Sequence, residues 1–509
     1  MDATSRHPGL HSYPAELATA LAGACGAQRE LYIAGGAVRD WLRGCRSRDL
    51  DFTVPAGGIA FARRLAAQLQ ASLVILDPEH DLARVVWRDL DLDCSGLREK
   101  ATGMAEDLRR RDFTINAMAV ALEVRDKRCR QQPGLLDPTG GQQDLAAGII
   151  RAVHPGAFAA DPLRLLRAYR FLAVFDDRAV AVDPVTRVKA TGNGRRRWRL
   201  AAATEVLIKD EVERQSLTTV AAERIRTELD AILLAPRGAA ALRAMAAVKL
   251  LFQVLPELAA GVGLAQPASH HLDVSEHCLE TVAAMQRVVA APEAFYPQYP
   301  SRLQAYLDDP RHPDRRCTLF WAALLHDLGK PAAHRLRQGR ITFYNHDRIG
   351  AELALQLGRR LRFSRRRLKL LDKLVAHHMW PFHLNNAQRR QGITPRACLR
   401  LVRKLGDDLP GLFLLAMADS LAGRGAGKPP AMEKELAEVY TEVMRVSRQQ
   451  LEPVLSQPPL LNGHDLQRLC NLTPGPHFKK ILDGLQQAQV AGEIHDRHEA
   501  LAWVKRFVG

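Results

Sequence analysis

No uninterrupted apolar run in this chain approaches the roughly 20 residues a membrane-spanning helix requires. The opening stretch, MDATSRHPGLHSYP, lacks the apolar centre of a secretory signal. The eight cysteines are scattered and include no Cys-x-x-Cys pair, which argues against a structural zinc site and against a disulfide framework. These absences predict a reduced, cytoplasmic protein with no membrane partner. Internal repeats and low-complexity tails are missing too. Acidic charge is in short supply, with 56 Asp and Glu against 72 Lys and Arg, a net charge of +16. A surplus of that sign points to a polyanionic partner, and by itself does not separate nucleic acid from an anionic surface. What remains is ordinary globular composition, 47% hydrophobic and 25% charged. At 509 residues the chain is long enough for three or four domains.

The most informative stretch runs from Gly35 to Asp51. Leu31-Tyr32-Ile33-Ala34 before it has the character of a short buried strand. Gly35 and Gly36 let the backbone turn tightly and bare amide groups for a phosphate. Val38 to Leu42 reads as the start of a helix, which would turn Arg39 and the helix N-terminus toward one anion. If residues 49 to 54 form a strand, alternation puts Asp49 and Asp51 on one face and Leu50 and Phe52 on the other. Neighbouring carboxylates repel unless a cation lies between them. Hard oxygen ligands suit Mg²⁺, usually shared with substrate phosphates. Each piece also has a plain reading, a simple turn and a solvated strand edge. The order of the pieces is what combines a triphosphate cradle with a metal clamp. It resembles the nucleotidyltransferase superfamily of DNA polymerase β, and within it the bacterial CCA-adding tRNA nucleotidyltransferases and poly(A) polymerases.

Around this stretch the spacing predicts a helix over 13–27, with Leu17, Leu21 and Ala24 packing on the first strand. It also predicts a helix over 60–70 and strands at 72–77, 83–88 and 90–94. Asp93 on the last strand is either a third carboxylate or a strand-end residue facing water. LRRRDFTINAMAV, 108–120, resembles the family's second motif, and the resemblance implies nucleotide contacts for Arg111, Asp112 and Asn116. A surface salt bridge is the alternative for the RRD cluster. LLDPTGGQQDL, 135–145, looks like a linker leaving the head.

Asp161-Pro162 makes a good helix start, after which Arg164, Arg167 and Arg170 fall three apart and cover one side. With little acidic company nearby, three guanidiniums should repel unless an anion lies across them. The family's Glu-Asp-x-x-Arg motif implies that Asp161 and Arg164 read the edge of an incoming C or A, while Arg167 and Arg170 hold the nucleotide. The Glu position is Ala160 here. Residues 187–203 place four arginines around Trp198, suiting an RNA backbone with a stacked base or a solvated insertion. AAERIRTELDAILLAP, 221–236, reads as a helix of the neck.

From about 266 the chemistry changes. His277, His326-Asp327, His346, His378 and Asp419 lie in separate helix-like segments, a donor set that suits a divalent transition metal. The series resembles the HD phosphohydrolase domain, and the family pattern selects His378 over its neighbour His377. The stretches around 406 and 422, GDDLPGL and AGRGAGKPP, read as loops.

The resemblance implies an α+β protein, a small mixed-sheet head followed by an all-α neck, an HD domain and a helical tail. The expected boundaries are an N-terminal helix (1–30), the head (31–155), the neck (156–265), the HD domain (266–425) and a tRNA-binding tail (426–509). It further implies addition of C, C and A to the tRNA 3′ end from CTP and ATP without a template. Asp49 and Asp51 would hold two Mg²⁺ as pyrophosphate leaves. A poly(A) polymerase, a CC-only or A-only enzyme, an HD phosphohydrolase with an RNA-binding head, and an RNA-binding regulator are the alternatives. Oligomeric state and the HD metal stay open.

Overall fold

The computed structural model describes residues 8–26, 30–98, 101–125, 127–175 and 198–508. It divides into two units, Met1–Arg237 with Ala244–Gln253, and Gly238–Arg243 with Val254–Gly509.

In the first unit, β1 (Leu31–Ala34), β2 (Asp49–Thr53), β3 (Ser72–Asp77), β4 (Leu82–Trp87), β5 (Leu90–Ser95), β6 (Ala119–Arg125) and β7 (Arg128–Gln131) form one sheet. Its order is β3-β4-β5-β2-β1-β6-β7. Every pairing is antiparallel except β2 with β5. The sheet is therefore mixed, and the parallel pair needs a crossover. Helices α1 (Ala15–Cys25), α2 (Gly36–Leu42) and α3 (Gly58–Leu69) accompany it, and α3 opens that crossover. Apolar positions at helical spacing, Phe61, Leu65 and Ala66, bury one stripe of α3 against β4 and β5.

Helix α1 ends at Gly26, whose φ of +57° stops it. It packs mainly on α3 and the edge strand β7, not on the first strand as its apolar spacing suggested. The reason is topological: β1 lies inside the sheet between β2 and β6, and α3 takes up the stripe of α1.

The segment expected to be a linker is part of the head. Asp137 accepts hydrogen bonds from the Gly141 and Gln142 amides at 2.7 and 2.8 Å, capping a helix over Gly141–Ala147. A Cβ at Gly141 would fall 2.1 Å from the Thr114 carbonyl, so only glycine permits this approach. Helices α4 (Met104–Arg109), α5 (Arg164–Val174) and α6 (Ala222–Leu234) complete the elements that surround the site.

Trp198 is buried, 4% exposed, with its ring 4.5 Å from Phe175, which in turn stacks on Phe171. It belongs to the core and presents no ring for a base. Arg195, Arg196 and Arg197 lie outside the described residues.

The second unit is helical apart from one hairpin among the described residues. Five helices matter below: α7 (Val274–Ala290), α8 (Arg315–Leu325), α9 (His346–Arg360), α10 (Arg365–His377) and α11 (Leu409–Ala422). α11 is apolar on nearly every side and packs on α7 and α8, as a central helix does. Most of the GDDLPGL stretch is thus helix, since Pro410 fits a first turn and only Gly406–Asp408 makes a separate turn.

Candidate active site and metal centre

Alternation along β2 buries Leu50 and Phe52 and leaves Asp49 and Asp51 on the opposite face. The same alternation along β5 buries Leu92 and Cys94 and turns out Asp91 and Asp93. The parallel register sets Asp49 beside Asp91 and Asp51 beside Asp93. From β4, Arg84 clamps Asp93 with two bonds of 2.6 and 2.9 Å and reaches Asp91 at 3.2 Å. Burial and then the neighbouring Asp91 push the Asp49 carboxyl above the usual range. Burial also raises Asp51, against the pull of Arg111. Four carboxylates on one face, two of them reluctant to ionise, fit a divalent cation.

The turn at Gly35 closes on this array. Its φ is +76°, and a Cβ there would fall 2.6 Å from Asp51 Oδ2 and 2.8 Å from Arg111 Nη1. The Gly35 amide, expected to be bare, donates to the Met118 carbonyl at 3.0 Å, because that bond continues the β1–β6 ladder. Gly36 opens α2. Arg39 forks onto Asp40 at 2.9 and 3.0 Å, donates to Asn116 Oδ1 at 2.6 Å and lies over Phe171 and Phe175.

Asp112 accepts from Arg167 at 2.9 and 2.7 Å, from Asn116 at 3.1 Å and from the Phe113 amide at 2.8 Å. Burial alone would raise its pKa; Arg167 and these donors hold it well below the usual carboxylate range. Arg170 pairs with Glu228 on α6 at 2.9 Å. The arginine row therefore does have acidic company, supplied by Asp112 and Glu228 from other elements. Arg164 is occupied differently: it donates to the carbonyls of Arg110, Arg111 and Ala157 at 3.1 to 3.3 Å. Asp161 caps the Leu163 amide, and both its oxygens face Arg224 of α6 at 3.4 and 3.1 Å. The helix proper begins at Arg164.

In the second unit six side chains converge. His277 Nε2 lies 3.0 Å from Asp419 Oδ1 and 3.6 Å from Asp327 Oδ2, and His326 Nε2 lies 3.2 Å from the same Asp327 oxygen. The other oxygen, Oδ1, lies 3.5 Å from His346 Nε2 and 3.7 Å from His378 Nε2. Asp327 thus faces two histidine pairs, one with each oxygen. The Nδ1 atoms of His326, His346 and His378 sit 2.7 to 3.0 Å from the carbonyls of Ala323, Phe343 and Val375. Donation there points each Nε2 lone pair inward, the tautomer a metal ligand needs. His326 Nε2 is buried without a hydrogen bond of good geometry, while the Lys330 ammonium meets Asp327 Oδ2 at 2.6 Å. The unpartnered ring nitrogen, aimed at a buried carboxylate, fits a cation. His377 turns away, with Nδ1 at the Ala376 carbonyl and its ring on Trp380.

Four family models match: the "Poly A polymerase head domain" over 31–151, the "Probable RNA and SrmB-binding site of polymerase A" over 199–261, the "HD domain" over 274–422, and tRNA nucleotidyltransferase domain 2 over 432–504. An A-adding tRNA nucleotidyltransferase of Deinococcus radiodurans is 35% identical over 477 residues, 93% of this chain and 95% of the relative. The chain belongs to the tRNA nucleotidyltransferase family. A CC-adding tRNA nucleotidyltransferase of Thermus thermophilus is 32% identical over 94% of both chains. Among solved structures, a CCA-adding enzyme with CTP matches at a TM-score of 0.60 and 21% identity, covering 96% of this chain and 94% of the other. A Thermotoga maritima CCA-adding enzyme with tRNA matches at 0.58 and 20%, covering 99% and 97%. These structures share the α+β fold.

As a tRNA nucleotidyltransferase the chain is an enzyme of a metal-dependent family, and five of its site neighbours escape sequence reasoning. Arg84 and Asp91 enter through strand register, which no local pattern encodes. Arg224 and Glu228 stand four apart on α6, a spacing that puts both on one face and was a usable signal. Lys330 lies 2.6 Å from Asp327 Oδ2, three residues along from it.

Proposed function

We propose that this tRNA nucleotidyltransferase extends the tRNA 3′ end with C, C and A, taking CTP and ATP and releasing pyrophosphate. The observation that carries the reading is the carboxylate face of β2 and β5 closed by the Gly35 turn. Asp49 and Asp51 would hold Mg²⁺, whose chemistry is to acidify the 3′ hydroxyl and to offset charge on the triphosphate. The side chains supply positioning. Arg84 fixes Asp93, Asp112 orders Asn116 and Arg167, and Arg39 steadies Asn116 from the other side. The 3′ oxygen bonds to the α-phosphorus as the bond to the β-phosphate oxygen breaks. Most of the acceleration comes from holding these groups in line. Asp161 is the base reader in this scheme: its carboxylate accepts from the amino group that C and A carry at the position where U and G present a carbonyl oxygen.

Four working parts follow the assignment: head 31–155, neck 156–265, HD domain 266–425 and tRNA-binding tail 426–509, with a cytoplasmic location. No described helix is long and apolar enough to cross a membrane. The HD cluster would hold divalent transition metal through His277, His326, Asp327, His346, His378 and Asp419. Metal-dependent hydrolysis of phosphate esters is the activity its donor set suits.

A second reading, addition of CC alone or A alone, is favoured by the two relatives that span the chain, one named A-adding and the other CC-adding. The deciding experiment supplies tRNAs ending before CCA, after C and after CC, with Mg²⁺ and with CTP and ATP singly and together, and sequences the products. Completion of all three ends supports CCA addition. Growth that stops at CC, or starts only from CC, assigns the partial activity. No extension of any end removes the proposal.

A further inference from the structure

Between Lys330 and His346 the chain leaves the metal cluster and returns to it. Lys330 Nζ lies 2.6 Å from one Asp327 oxygen and His346 Nε2 lies 3.5 Å from the other. The excursion, residues 331–345, reads PAAHRLRQGRITFYN and contains no acidic residue. It folds into a hairpin of β8 (Arg335–Arg337) and β9 (Arg340–Thr342). Gln338 and Gly339 turn it with φ of +49° and +73°, the backbone of a tight two-residue hairpin loop.

Strand geometry puts Arg335 and Arg337 on one face, and Arg340, directly opposite Arg337, on that same face. Like charges opposed across a ladder destabilise it, and a lone two-stranded hairpin is marginal to begin with. The Arg340 side chain makes no ion pair or hydrogen bond among the described residues, Arg335 donates to the carbonyls of Ala332 and His334 at 3.5 and 2.7 Å, and all three arginines are exposed. Arg337 lies over the ring of Tyr344, which is itself 66% exposed, and Leu336 is 68% exposed. Cations on one face beside an open aromatic ring are what a single nucleic-acid strand requires: guanidiniums for successive phosphates, a ring for a base.

We infer that this hairpin is a docking arm for single-stranded RNA, which presents the strand's terminal phosphate to the histidine–aspartate cluster. Small nucleotides would leave most of the cationic face uncovered; an extended strand spans it. The inference rests on the metal-binding reading of the cluster for its purpose and on the hairpin alone for its binding.

The test uses the full chain with a single-stranded RNA 12-mer that carries 4-thiouridine at its 3′-phosphorylated end. After irradiation, cross-links are mapped by mass spectrometry. Cross-links within 331–345 are expected. The combined variant Arg337→Ser, Arg340→Ser, Tyr344→Ala should bind the 12-mer about tenfold or more weakly. Loss of two phosphate contacts should also flatten its log–log salt slope by about 1.4. Should the triple variant misfold, judged by circular dichroism and metal content, Tyr344→Ala alone serves, with a smaller loss expected. Cross-links confined to other segments would overturn the inference, as would wild-type affinity and salt slope in the variant. An equal loss of affinity for 3′-AMP would overturn it too, since the arm would then serve mononucleotides. Retention of the cross-link in Asp327→Ala, with metal lost, would uphold the arm. Whether wild-type protein hydrolyses the terminal phosphate tests the cluster's chemistry separately.

Discussion

Asp51 and Asp93 stand side by side across the one parallel pairing of the head's sheet, and Arg84 grips Asp93 from the next strand with bonds of 2.6 and 2.9 Å. An exposed ion pair would be worth little. A carboxylate held at the edge of a cation site is worth more, because misplacing it weakens the cation. Arg84→Met and Asp93→Asn should each lower Mn²⁺ affinity, measured by electron paramagnetic resonance, and tRNA extension by roughly 10- to 100-fold. Values within twofold of wild type for both would reduce the pair to surface decoration.

Gly35→Ala tests the close approach of turn and carboxylate. The added Cβ would meet Asp51 Oδ2 at 2.6 Å, on a backbone whose φ of +76° already disfavours it by about 1–2 kcal/mol. Either Asp51 or the turn must shift. Extension should fall at least ~100-fold, as misplacement of about 1 Å allows, while thermal unfolding moves by only a few degrees. Gly26→Ala, at a φ of +57° with nothing near its Cβ, is the control that carries backbone strain without the clash.

Asp112 carries a pH signature. Its pKa is held well below the usual range by Arg167 and its other donors, against burial. A depressed folded pKa stabilises the protein above the unfolded value of about 3.9, and that stability is lost as pH falls through the folded one. Asp112→Asn should cost ~2 kcal/mol at neutral pH, a moderate figure because Arg167 remains one-third exposed. Below about pH 4 the variant's stability should fall less steeply than wild type's. Parallel acid-unfolding curves for the two proteins would refute this.

How much of the site could be read from the chain follows from range. Asp49 and Asp51 are two residues apart on one strand, so periodicity alone placed them on one face. The six side chains that converge in the second unit were singled out by residue type and order, although their meeting depends on five helices. Asp93 stayed ambiguous and Arg84 unseen because their neighbours come from sheet register. The arginine row looked unpaired because Glu228 lies far along the chain from Arg170. Trp198 misled for a different reason: arginines around an aromatic describe composition, and composition does not distinguish a ring offered to RNA from one stacked on Phe175. The amide of Gly35 followed the same pattern, since only the β1–β6 ladder reveals its bond to Met118.

Base choice should respond to Arg224. Both oxygens of Asp161 face its guanidinium, while Arg164 is spent on three backbone carbonyls. Ala160 stands at the Glu position of the resembled motif, and the Arg224 guanidinium is the group that meets the Asp161 carboxylate. Arg224→Ala should therefore relax discrimination of CTP and ATP against UTP by about 10-fold, read as a ratio of kcat/KM values. Asp161→Ala should relax it at least as far. If Arg224→Ala slows all nucleotides equally, it supports the helix it stands on without orienting Asp161.

The two faces of Asp327 make metal content a countable test. His277 and His326 attend one oxygen, His346 and His378 the other. Protein purified with Mn²⁺ or Zn²⁺ should hold two ions by mass spectrometry. His378→Ala should lose one and keep the other, because the opposite pair and Asp419 are intact. Asp327→Ala should lose both, since each group needs its shared carboxylate. Chelation should lower the unfolding temperature of the second unit, as removal of a ligand held at 100 times its Kd withdraws about 2.7 kcal/mol. Asp327→Ala should show no such response. A single ion in wild type, unchanged by His378→Ala, would mean that His346 and His378 merely pack beside a mononuclear site. Their Nε2 atoms, 3.1 Å apart, would then share a proton instead of a metal.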